Sequence, residues 1–298
     1  MRRGTRSTVC EAPAPAYWAL HGPITDPGTG PGAALLDGLP AGAAELAQVL
    51  QGAVIHIFWA KRYGLELDKE REQEVGLRRV ARQLDRLMEL DSRPLTASRP
   101  LERRLVGNCR DFSVLYAAAL RQQGIPARAR CGFATYFRPG TFEDHWVVER
   151  YEADQQRWRM VDPQLDEFQC QALGIDFDPC DMPTGRFLTG GAVWLACRNG
   201  RVDPDDCGIF DMRGLWFVRG NVIRDFLSLL RIEILPWDAW GGMDDGSGLG
   251  SDEGAMLDHL ADLCRHPDRH LAELQRLFAG VPALAKRPDW WVAGDGLK

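Results

Sequence analysis

Three residues of this chain have types that together could make and use a nucleophile: Cys109, His145 and Asp162. Cys109 stands in "GNCRDFSVLYAAALRQQGIPAR" (107–128), directly after Asn108 and before a strongly helical run. The reactive form of a cysteine is its thiolate. A helix N-terminus favours that form through its unpaired backbone N–H groups and its dipole, so the position predicts a depressed thiol pKa. A nearby imidazole would take the thiol proton and later return it to a leaving group. His145 opens the strand-like "HWVVERY" (145–151), and Asp162 closes "RWRMVD" (157–162). A four-residue hairpin loop over 152–155, a common length, sets Tyr151 opposite Gln156 and His145 opposite Asp162. Directly opposed residues hold their Cβ atoms roughly 4.5–5.5 Å apart, close enough for a carboxylate to grip an imidazole N–H. Nothing local brings Cys109 to that pair; only the fold can.

The elements that must do this positioning are partly legible. Asn108 is a good N-cap and Asp111 suits the positive first turn. Phe112, Leu115, Tyr116, Ala119 and Leu120 form one apolar face, and Gly124 and Pro126 close the helix. Upstream, apolar spacing predicts one helix over 43–63 and a second over 68–90, interrupted by "DSRPLTASRP". Residues 1–40, rich in Pro, Gly and Ala, read as a loop-rich arm. Downstream, 127–137 alternates like a strand. Residues 163–187 are irregular, 214–237 reads as helical, and 241–251 is glycine-rich enough for a linker. Residues 252–298 are expected to add a C-terminal helical segment.

The stretches "GNCRDFSVLYAAALRQQGIPAR", "DHWVVERY" and "RWRMVDPQLD" together resemble the transglutaminase-like superfamily. The resemblance covers about residues 101–166. It implies an α+β fold with a papain-like core, in which a helix beginning with the nucleophilic cysteine packs on an antiparallel sheet bearing His and Asp. Residues 41–240 then form that domain with its elaborations, under a helical N-terminal layer and with a C-terminal extension. By the same resemblance Cys109 is the nucleophile, His145 the acid and base, and Asp162 the orienting carboxylate. The implied chemistry is acyl transfer from an amide, ester or thioester, to water in a hydrolase or amidase, or to an amine in a transglutaminase or amide-forming enzyme. The implied partner is a peptide, amide or acyl-thioester substrate. The other reading, from a different class, is a binding or scaffold protein on the same fold.

Bland readings cover most other conspicuous residues. Trp194, Trp216, Trp237 and Trp240 are expected in the core, with a pocket wall as the alternative. Trp146, Trp216, Arg219 and Asn221 are the candidates for touching substrate. His56 is expected as a hydrogen-bonded histidine on the apolar side of its helix, Arg110 as a surface or ion-pair residue, and Cys131 as core. No C-x-x-C pair occurs among the eight cysteines, and the spacings of Cys170, Cys180, Cys197 and Cys207 suit no zinc ribbon, so no metal is expected. Neither a phosphate loop, a dinucleotide fingerprint nor a calcium loop is present, so no cofactor is expected.

Composition sets the outer limits. The 298 residues are 45% apolar and 26% charged, with a formal net charge of -6. That balance suits a globular protein with a sizeable core and disfavours nucleic acid and anionic membranes as partners. The N-terminus lacks the apolar stretch of a signal peptide, and no run approaches the roughly 18 apolar residues of a membrane span. A cytoplasmic, reducing location with free thiols is the expectation.

Overall fold

The structure is a computed structural model that describes residues 14–241, 243 and 252–293. Its main elements, in chain order, are α1 (Ala43–Ala53), β1 (Val54–His56), α2 (Val80–Leu90), β2 (Leu105–Gly107), α3 (Cys109–Gln122), β3 (Ala127–Ala134), β4 (Phe142–Glu152) and β5 (Arg157–Val161). There follow α4 (Glu167–Leu173), β6 (Phe187–Thr189), α5 (Gly190–Arg198), β7 (Cys207–Ile209), β8 (Met212–Arg213), α6 (Leu215–Leu229), α7 (Glu253–Arg265) and α8 (Pro267–Gly280). The fold is α+β, with the cysteine-bearing helix on a sheet as in a papain-like core. The sheet runs β6-β3-β4-β7-β8, with β5 also on β4. It is mixed, because β7 joins β4 in parallel while β3, β5 and β6 pair antiparallel.

Helix α3 is the centre of the molecule. Val114 to Leu120 are wholly buried, so the helix is covered on all sides and not on one stripe only. Its first turn is closed by a capping box: the Asn108 side chain accepts from the N–H groups of Arg110 and Asp111, and Asp111 accepts from the Asn108 N–H. In front of it β2 lies parallel to β1, with Gly107 beside His56. A Cβ on Gly107 would press on Asp111 and Val54 at 3.1 Å, so the strand can pass this close to the capping box only without a side chain.

Strand β4 carries His145, and its pairing explains how the helix meets it. Beside β3, Cys131 faces Trp146 and Gly132 faces His145. The Cys131 N–H turns away to the Asp225 carboxylate, which makes 131/146 a non-hydrogen-bonded pair. The Trp146 N–H therefore points to the other edge of β4. There β7 takes Phe142 and Glu143, β5 takes Val148 to Glu152, and neither claims Asp144 to Val147.

Several elements depart from the sequence reading. The helix expected over 43–63 ends at Ala53, and Val54–His56 is a strand because the β-branched Val54 and Ile55 pair with β2. His56 is thus on a strand. The helix expected over 68–90 is broken: a turn at Lys69–Glu72 and a tight turn at Gln73–Gly76 precede α2. Here Glu74 turns inward to accept from the Val106 N–H and from Arg71 and Arg86, which a continuous helix would not allow. The helix expected over 214–237 stops at Leu229, and Arg231 takes a left-handed φ of 63°. Residues 14–40 hold a short helix at Ala14–Tyr17 and a 3-10 helix at Pro31–Leu36 and are tied to the core: Trp18 and Ile24 are core residues, and the Trp18 indole donates to the Leu229 carbonyl at 2.9 Å. Helices α7 and α8 pack on α5 and α6 through Leu260, Leu263, Cys264 and Leu274. The first 13 residues, including Cys10, residues 242 and 244–251 of the expected linker, and residues 294–298 lie outside the described residues. Among the described residues no helix is long and apolar enough to cross a membrane.

Candidate active site

The hairpin joining β4 and β5 has a four-residue loop, but over 153–156, one residue later than expected. Gln156 adopts a φ of 50° in it. The pairing moves by two residues, so Val148, not Trp146, faces the last strand residue, Val161. A shift of two keeps every side chain on its face, whereas a shift of one would have turned them over. His145 and Asp162 are therefore diagonal and not opposite, yet still on one face. The His145 Nε2 lies 2.8 Å from Asp162 Oδ2.

This carboxylate is fully engaged. Its Oδ2 also accepts from the Tyr136 hydroxyl at 2.6 Å, and its Oδ1 accepts from the Gln164 N–H at 3.0 Å. Phe137 closes on the imidazole edge-on, with ring centroids 4.9 Å apart. With Nε2 given to Asp162, Nδ1 of His145 is left for the thiol of Cys109, to which the imidazole is hydrogen-bonded. The Trp146 N–H, unclaimed by a neighbouring strand, donates to the same sulfur. Sulfur, imidazole and carboxylate thus form one hydrogen-bonded line, and the sulfur end is partly open to a cavity of about 640 Å³.

The protonation of this line differs from the sequence expectation. Burial pulls the His145 imidazole down, but the Asp162 carboxylate and the hydrogen bonds outweigh it and hold the pKa up at about 10. Burial pushes the Cys109 thiol up, against the His145 charge and the Trp146 N–H that pull it down. The depressed thiol expected from the helix end alone is therefore not what the buried site gives. His56, beside the cavity, is lowered to about 3 by burial and then by the charge of His145, so it stays neutral. Its Nδ1 accepts from the Phe58 N–H at 3.2 Å, which fixes its proton on Nε2.

Two donors at the mouth have nothing to bind. Asn108 lines the cavity and is nine-tenths buried; its Oδ1 caps the helix while its Nδ2 meets no acceptor among the described residues. The Cys109 backbone N–H, first of the helix, likewise meets no acceptor among the described residues.

The expected substrate residues separate into two pairs. Trp216 and Arg219 line the cavity. Trp146 does not: it is wholly buried on the opposite face with Ala129 and Cys131, as the alternation of a strand requires of the residue after His145. Asn221 is also wholly buried outside the cavity wall. Its amide donates to Asp144 at 2.7 Å and to the Gly132 carbonyl, so it braces β4 behind His145. Arg110 is no surface residue: its guanidinium is buried and donates to Asp111 and to the carbonyls of Arg78 and Glu233. Sequence reasoning missed Tyr136, His56 and Asn108 as site residues. The β-branched pair before His56 was a readable strand signal. Tyr136 lies beyond the end of β3, where alternation no longer fixes a face. Among the described residues no group of His, Cys, Asp and Glu could hold a metal ion.

No curated protein and no solved structure matches the chain. Residues 66–163, about a third of the length, match the family model of the transglutaminase-like superfamily, and that stretch holds Cys109, His145 and Asp162 together with the strands and the helix that align them.

Proposed function

We propose that this protein is a cysteine-dependent acyl-transfer enzyme acting on an amide, ester or thioester. The observation that carries the reading is the continuous line from the Cys109 sulfur through His145 to Asp162, opening on a cavity with unused N–H donors. The competent form is the one that has lost one proton from the sulfur–imidazole pair, a property of the pair and not of either group alone. The sulfur attacks the carbonyl carbon. The carbonyl electrons move to oxygen, which is met by the Cys109 N–H, with Asn108 Nδ2 and the His56 Nε2–H as the side-chain donors nearest in kind. The tetrahedral adduct collapses, the bond to the leaving amine, alcohol or thiol breaks, and the leaving atom takes the proton from His145. A thioester remains on Cys109. Water or an amine then attacks it, gives its proton to His145, and restores the thiol. Asp162, held by Tyr136, keeps the imidazole oriented through both halves and stabilises it each time it carries the proton.

A second reading, a binding module, is favoured by one observation: burial pushes the thiol up. Mass spectrometry of Cys109 after incubation with acyl thioesters and activated esters separates the two. An acyl adduct on Cys109 that disappears in His145→Ala supports the enzyme. An unmodified Cys109 across all donors, with full retention of ligand binding, supports the module.

A further inference from the structure

Most of the large apolar side chains exposed among the described residues gather in one place, Leu20, Phe168 and Leu215 excepted. Phe58, Phe210, Trp216 and Trp237 are each 52–60% exposed, and all four line the cavity above Cys109. They come from separate places: the turn after β1, the tip of the β7–β8 hairpin, the start of α6 and the segment after it. Phe58 and Phe210 meet edge-on across the mouth with centroids 5.2 Å apart. Phe210 holds a left-handed φ of 52°, which is unfavourable for a bulky residue and here aims an aromatic ring outward. A concentration of exposed aromatics around a buried nucleophile marks a surface for an apolar ligand.

Charge on the same wall has one sign to spare. Of the carboxylates that line it, Asp238 is held by Arg78 at 2.7 Å, Asp144 accepts from the Asn221 amide, and Glu143 lies 3.5 Å from the Arg138 guanidinium with no hydrogen bond to its Oε2 among the described residues. Burial pushes Asp144 toward its neutral form, while the nearby Arg224 charge pulls it back. Arg224, on α6, forms no ion pair among the described residues. Its Nη1 donates to the Asn221 oxygen, and its Nε is buried without an acceptor. Gly220, one turn earlier on α6, also lines the cavity, and a Cβ there would meet Arg224 Nη1 at 2.8 Å, so the glycine leaves room for the guanidinium where it stands.

From these placements we infer that the cavity takes an apolar, aromatic-bearing acyl compound that also carries an anionic group, the apolar part against Phe58, Phe210 and Trp216 and the anion on Arg224. This deepens the proposed acyl-transfer reading by naming its substrate class, and its binding half stands even if Cys109 does no chemistry. Discrimination comes from the unpaired guanidinium, since a neutral ligand would leave Arg224 Nε buried without a partner.

The test uses the full chain and two matched ligands, 4-phenylbutanoate and its neutral amide. The acid is expected to bind at least about tenfold more tightly and to slow iodoacetamide labelling of Cys109, and Arg224→Gln is expected to bring acid and amide to the same affinity. Phe210→Ser should weaken both ligands together. Equal binding of acid and amide to the wild-type chain, or binding without protection of Cys109, overturns the inference. A parallel incubation with a monothioester of 2-phenylglutaric acid, which keeps one free carboxylate, reads the chemistry separately: acid binding without an adduct on Cys109 removes the acyl-transfer reading and leaves the ligand class standing.

Discussion

The two ends of the line from Cys109 through His145 to Asp162 are built on opposite rules. At the back, every polar atom of Asp162 is matched: Tyr136 and His145 share one oxygen and the Gln164 N–H takes the other. At the mouth, Asn108 Nδ2 is unmatched, the Cys109 N–H is unused and aromatic rings face water. A satisfied buried network fixes one geometry, whereas an unsatisfied one is completed only by something that binds. The back therefore sets direction and charge, and the mouth sets what enters.

The comparison can be broken at several points. The largest effect is expected at the sulfur: Cys109→Ser should abolish acyl adduct formation, seen by intact-mass spectrometry, while the urea unfolding midpoint stays near that of the native chain. Asp162→Asn should come next, lowering the acylation rate by about 10²–10⁴-fold, because the imidazole loses the partner that orients and charges it. The same change should move the alkaline limb of a rate–pH profile down from about pH 10. An unmoved limb would mean that Asp162 does not govern His145.

Removing a mouth donor should cost less than that. Asn108→Asp keeps the cap oxygen but loses the Nδ2 donor, and an acylation rate lower by about 10-fold or more, with ligand affinity held, would mark it as a donor to the carbonyl oxygen. Tyr136→Phe is the smallest of the set. It removes one of the hydrogen bonds to Asp162, leaves the carboxylate more basic, and should shift the alkaline limb upward with only a few-fold change in rate.

A stability titration sharpens the contrast between the Cys109–His145–Asp162 line and the structural charges nearby. His145 is raised from about 6.5 to about 10, so its contribution is complete below about pH 6.5 and is lost as pH rises through 10. Glu149 runs the other way. Burial pushes it up, but Arg128 and Arg130 outweigh that and hold it down at about 2, so its contribution is present above its ordinary range and is lost as pH falls toward 2. Chemical denaturation across pH should therefore find alkaline loss that disappears in Asp162→Asn and acid loss that persists there. Within the same structural cluster Arg130 is bidentate to Asp225, both buried, and Asp225→Ala should destabilise by about 3–5 kcal/mol, because the buried guanidinium then keeps only Glu149 and the Cys264 carbonyl.

The sequence alone determined the parts of this protein whose physics is local. A capping residue, a helical run and a closing glycine located α3 and put Cys109 at its start. Strand alternation put His145 and Asp162 on one face, and that survived a two-residue error in pairing because the side-chain period is two. The same alternation already forbade Trp146 from joining them. Tertiary structure alone decided the rest. His56 reached the cavity because β1 pairs with β2 and not with its own helix. Tyr136 reached Asp162 from beyond a strand end. The mouth was assembled from segments that no periodicity connects, and the thiol rose because burial, a property of the packed whole, outweighed the helix end that the sequence could foresee.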